Sequence, residues 1–255
     1  MRTFRYLPLL LALACGPAQE PSSAPQAAPT ADKDAPRPQL LVVVTADWDA
    51  VSGQLQRYEA QAGAWQAVGE AIPVVVGKNG LAWGRGVADY RDRSGPVKRE
   101  GDRKSPAGLF RLGAAFGYAD PAAATFVKAP YLHVTAATMC IEDGASAHYN
   151  RILDEGTVAP DWNSTDHMLR QDDLYEWGMF VEHNAPEAEA GGGSCIFLHV
   201  WRQNDSGTAG CTAMDKARMR ELLAWIDPAA EPQLLQVPRG AYGDFAQILG
   251  LPALP

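Results

Sequence analysis

Apolar residues fall in short runs separated by glycine, proline and aspartate, the spacing of a strand-rich domain with sizeable loops. Leu40-Leu41-Val42-Val43-Val44-Thr45 is a β-branched run that predicts a buried strand, with the folded part starting at Gln39. Ile72-Pro73-Val74-Val75-Val76 predicts a second strand, and Gly77-Lys78-Asn79-Gly80 closes it with a hairpin-type turn signal. Met179-Phe180-Val181-Glu182 and Ile196-Phe197-Leu198-His199-Val200 predict two more, the last with a histidine set into it. The period changes once near the C-terminus. Met219, Leu222, Leu223 and Ile226 fall at helical spacing after Asp215, a good cap, and Asp227-Pro228 ends the segment. The expected fold is mainly β with a few helices, of the α+β kind and not alternating β-α-β.

The N-terminus carries different information. Arg2 and Arg5 precede a short apolar stretch, and Leu11-Ala12-Leu13-Ala14-Cys15 ends it on small residues and a cysteine. This is the layout of an export signal, too short to span a bilayer, with Cys15 placed as a lipidated N-terminal residue. Residues 16–38 are rich in Pro, Ala, Ser and Gln and cannot bury enough apolar surface to order themselves. The expected organisation is a lipoprotein signal peptide at 1–14, lipidated Cys15 with a tether at 15–38, and one folded domain at 39–255. Gly16 stands where a retention Asp would hold a lipoprotein in the inner membrane, which favours the outer membrane. A lipid-anchored monomer on the periplasmic side of the envelope is expected.

Net charge narrows the partners. Thirty Asp and Glu against twenty-two Lys and Arg leave the chain at -8, which argues against nucleic acid. Cysteine count narrows the chemistry. With Cys15 lipidated, Cys140, Cys195 and Cys211 remain, an odd number in an oxidising compartment. Cys140 and Cys195 could pair and leave Cys211 free, or stay as two buried thiols. Cys211 follows Gly210, the predicted helix after it would aim its positive end back at the sulfur, and His199 on a strand could serve as general base. Taken alone, a histidine in an apolar strand is more often a satisfied core or loop-edge residue than a catalyst. A zinc set of His183, Cys195, His199 and Cys211 matches no tight ligand spacing, so no metal or other cofactor is expected. Gly191-Gly192-Gly193 reads as a flexible loop before the histidine strand.

His199, a spacer, and Thr208-Ala209-Gly210-Cys211 together resemble the signature of the L,D-transpeptidase (YkuD-type) catalytic domain. Gly101-Asp102-Arg103-Lys104-Ser105-Pro106-Ala107-Gly108-Leu109-Phe110 is similar to another segment of that family, as is Val74 to Gly80. Tyr149-Asn150-Arg151 and Asp172-Asp173-Leu174-Tyr175 look like segments of one of its branches, so the likeness runs in order from about residue 39 to 227.

The resemblance implies a β-sandwich domain and an enzyme acting on peptidoglycan stem peptides. Cys211 would be the nucleophile, His199 the base, Thr208 a shaper of the loop, and the Gly210 and Cys211 amides the oxyanion site. Attack on the acyl-enzyme by an amine gives a crosslink, and attack by water gives carboxypeptidase or endopeptidase activity. The competing reading is a non-catalytic peptidoglycan-binding lipoprotein that uses the same groove. His183, after a strand near the site, and Trp201, just beyond His199, are candidate substrate contacts. Two positions depart from the family pattern: Ala213 stands where many members carry Arg, and Ala209 where many carry a basic residue or His.

Overall fold

Gln39–Thr45 forms strand β1, and its residues Leu40 to Val43 are shut off from solvent on both faces. That is why the run is continuous where a one-sided strand would alternate. The structure, a computed structural model, describes residues 36–254. The signal segment 1–14, Cys15 and nearly all of the tether lie outside the described residues. Among the described residues no helix is long and apolar enough to cross a membrane.

β2 (Ser52–Gln61) and β3 (Ala64–Val75) make a long antiparallel hairpin turned by Ala62 and Gly63, both at positive φ. Sequence patterning found only the last four residues of β3 because its first eight are exposed or half-buried and form no apolar run. The Gly77–Gly80 turn does form, with the Gly80 amide donating to the Gly77 carbonyl at 2.7 Å. It does not make a hairpin, however. β4 (Leu81–Trp83) leaves β3 and pairs in parallel with β5 (Ser105–Gly117).

β5 is the hinge of the architecture. Its first part pairs with β13 (Gln233–Pro238), and its second part with β10 (Trp177–Val181). β10 continues through β11 (Phe197–Val200) and β12 (Thr212–Met214) to β3, while β13 continues through β1 and β2 to β3. The large sheet is therefore joined at both ends into a sandwich-like arrangement, with a core that includes Leu41, Ile72, Phe110, Leu198 and Leu235. The short strand β6 (Tyr131–His133) lies alongside β5.

Helix α1 spans Lys216–Trp225, capped by Asp215 and burying Met219, Leu222 and Leu223, as its spacing predicts. Patterning did not find α2 (Arg239–Leu249), whose Tyr242 and Phe245 complete the core. A separate three-stranded sheet, β8 (Ile152–Asp154), β7 (Thr138–Ile141) and β9 (Thr165–His167), is fastened to the body by a Cys140–Cys195 disulfide.

Candidate active site

Strands β11 and β12 run parallel, with His199 opposite Ala213. Cys211 sits two residues before Ala213, so period-two alternation puts the thiol and the imidazole on one face of neighbouring strands. Both line a cavity of about 230 Å³, together with Thr208, Ala209, Tyr175 and Trp201. A larger cavity of about 550 Å³ is lined by a different set that includes Arg111, Met179 and Gln233, and it holds none of these groups.

The resting state of each group follows from its surroundings. The Cys211 side chain is buried beside Tyr175, Phe197 and the disulfide. Burial pushes its pKa up to about 12, against a downward pull from the Phe197 amide, which donates to the sulfur at 3.3 Å. The thiol hydrogen points to the Cys195 carbonyl at 3.5 Å. Burial likewise lowers His199 to about 4, so the imidazole is neutral. Its Nδ1 lies 2.7 Å from the Val200 carbonyl, an arrangement that holds the proton on Nδ1 and leaves the lone pair on Nε2. Tyr175 meets the ring edge-on at 5.3 Å.

This corrects the expectation that a helix dipole depresses the thiol. Strand β12 intervenes between Cys211 and α1, and Asp215 takes the first free amides of the helix, Ala217 at 2.8 Å and Arg218 at 3.4 Å. A neutral thiol and a neutral imidazole result, so an attack by this thiol would need its proton moved at the same time, by a general base.

The loop before Cys211 is held by hydroxyl groups. Thr208 Oγ1 donates to the Cys211 carbonyl at 2.6 Å and accepts from the Gly210 amide at 3.1 Å. Thr208 thus bridges the Gly210 amide and the Cys211 carbonyl. The Gly210 amide, expected to face an oxyanion, is committed to that hydroxyl in this arrangement. Gly210 itself leaves room for its neighbours, since a Cβ there would stand 3.3 Å from the Lys104 carbonyl and from Ile196.

Ser105, a residue that sequence reasoning passed over, donates to the same Cys211 carbonyl at 2.8 Å and accepts from the Gly77 amide at 2.8 Å. This close approach requires glycine at 77, where a Cβ would come within 2.4 Å of the Arg103 carbonyl. The signal was present in Gly101 to Phe110, but nothing in it says which atom reaches Cys211.

Trp201 lines the cavity, whereas His183 does not. Its Nδ1 accepts from the Arg85 amide at 3.3 Å, and its Nε2 donates to the Gly192 carbonyl at 2.9 Å. Both ring nitrogens are thus engaged by backbone, and burial keeps the ring neutral with its pKa lowered to about 4. His183 fastens the Gly191–Gly193 segment, which is consequently tied down, contrary to the flexible loop its composition predicts. Asn150 extends the same fastening, giving its amide to the His183 and Asn184 carbonyls and accepting from the Cys195 amide, all at 2.9 Å. With Cys195 bonded to Cys140, the only free cysteine among the described residues is Cys211.

Residues 50–237 match the family model of the L,D-transpeptidase (YkuD) catalytic domain. Neither the curated proteins nor the solved structures compared with the chain gave a match.

Proposed function

The chain belongs to the L,D-transpeptidase catalytic-domain family, and from that premise we propose that it transfers acyl groups between peptidoglycan stem peptides through a thioester on Cys211. The observation that carries this reading is the shared cavity of Cys211 and His199, with the Nδ1–H of His199 held by the Val200 carbonyl, so that in the neutral ring the lone pair that can take a proton is on Nε2.

Sγ attacks the carbonyl of the third-position diamino acid of a donor tetrapeptide, and its proton passes to His199 Nε2. The bond to the terminal D-alanine breaks, and the imidazolium returns the proton to the departing amine. An amine of a second stem then attacks the thioester while His199 takes its proton, and the thiol is released. Exclusion of water while the donor fills a cavity this size favours the amine, and entry of water diverts the same thioester to hydrolysis. We propose further that the export-signal layout at 1–14 and Cys15 makes this a lipid-anchored enzyme on the periplasmic side of the envelope, with Gly16 favouring the outer membrane.

Incubation of the purified domain with disaccharide-tetrapeptide, read by mass spectrometry, tests the proposal. Crosslinked dimers are the expected product. Tripeptides alone would replace transfer with carboxypeptidase activity. If Cys211→Ala gave the same products as the parent protein, the nucleophile assignment would be wrong, and binding without any product would leave a peptidoglycan-binding protein.

A further inference from the structure

The charged side chains lining the Cys211 cavity are two arginines, Arg170 and Arg202, and no carboxylate is in that lining. The segment Thr208 to Met214, the loop around Cys211 and strand β12, contributes no cation. Recognition of an anionic substrate at this cavity therefore falls to side chains from outside that loop.

The two arginines are held unequally. Arg170 grips Asp172 bidentately, Nε to Oδ1 and Nη2 to Oδ2 at 2.8 Å each. It also lies 3.7 Å from Asp166 and 5.1 Å over the Tyr175 ring. Its guanidinium is a brace, consumed by protein partners. Arg202 touches the same Asp172 Oδ2 through Nη2 alone, at 3.0 Å, and its side chain is 63% exposed. Its remaining N–H groups have no partner among the described residues. Asp172, whose carboxyl is held down to about 2 by Arg170, keeps its charge and so keeps Arg202 in place. Arg202 stands three positions after His199, directly after Trp201 on the same cavity wall.

We propose that Arg202, steadied by the Arg170–Asp172 pair, is the seat for a carboxylate of the peptide substrate. This rests on the stem-peptide reading of the cavity. A guanidinium with an unused pair of parallel donors fits a carboxylate bidentately, which a lysine or an amide would not. Two substrate carboxylates have that chemistry, the C-terminal one of the leaving residue and the one on the diamino acid side chain. The same guanidinium could meet either.

The test uses Cys211→Ala protein, which keeps the cavity and cannot react, titrated calorimetrically with three synthetic stem tetrapeptides. One has free carboxylates, one is amidated at its C-terminus, and one is amidated on the diamino acid side chain. The free form is expected to bind on the order of tenfold tighter than one of the two amides, and that amide identifies the carboxylate seated. Adding Arg202→Gln, a change at an exposed side chain, is expected to abolish the preference while the circular dichroism spectrum stays unchanged. Equal binding of all three peptides, no binding of any, or a preference untouched by Arg202→Gln would overturn the seat. The parent reading stands or falls separately, on whether wild-type Cys211 gains the acyl mass.

Discussion

Ser105 Oγ donates a 2.8 Å hydrogen bond to the main-chain carbonyl of Cys211, 106 residues further along the chain. With Thr208 on the same carbonyl and the Gly77 amide behind Ser105, the backbone of the nucleophile is clamped from two sides. Ser105 is fully buried. Ser105→Ala strands the Gly77 amide and half of that clamp, a loss of about 1–3 kcal/mol by the usual cost of a buried unpaired group. A lower melting temperature is expected, with acylation slowed in kcat more than in KM. An unchanged kcat at normal stability would remove Ser105 from the positioning of Cys211.

The thiol environment gives a pH signature. Because burial raises Cys211 to about 12, little thiolate exists at neutral pH in the free enzyme. Alkylation by iodoacetamide should be slow at pH 7 and rise tenfold per pH unit through pH 10, as expected well below the pKa. A plateau below pH 8 would mean an ion-paired nucleophile and would contradict the neutral pair described above.

The Cys140–Cys195 bridge ties the three-stranded sheet to the residue whose carbonyl receives the Cys211 thiol hydrogen. Replacing both cysteines with serine should cost about 2–4 kcal/mol, as for native bridges closing loops of this order. Because Cys195 also loses its anchor, Cys211 should become more accessible, and its alkylation at pH 8 faster. A variant with the parental rate would show that the bridge serves stability alone.

His183 supplies a second pH effect, on stability. Its folded pKa of about 4 lies below the unfolded value of 6.5, so the unfolded chain takes up the proton first as pH falls. The stability associated with the neutral ring is complete above pH 6.5 and is lost between about 6.5 and 4, up to about 3 kcal/mol. Chemical denaturation of the parent and of His183→Gln across that window isolates the term. The difference between them should slope with pH there and be flat above 7.

Much of the scaffold was legible in the residues. β1 and β11 are apolar runs because both faces of each are covered, and α1 repeats at 3.6 because one face is. The β2–β3 hairpin was not, because a half-exposed hairpin has no apolar run to betray it, and its Ala-Gly turn is a weak signal. His183 looked like a site residue from its place after a strand, yet the fold spends both of its nitrogens on backbone.

Cys211 and His199 were singled out from sequence, because a free thiol near a histidine, set in a run that resembles a family signature, is written locally, and the fold sets both on one cavity. The odd cysteine count likewise allowed a bridge between Cys140 and Cys195. Tertiary structure alone decided the protonation of the pair and the set of groups around it. Burial depends on Tyr175 and Phe197 packing over the sulfur, and hydrogen-bond partners such as Ser105 come from distant segments. Those are properties of neighbours in space. The thiol that the sequence placed at a helix end is raised by desolvation, because a strand separates it from that helix and apolar side chains close over it.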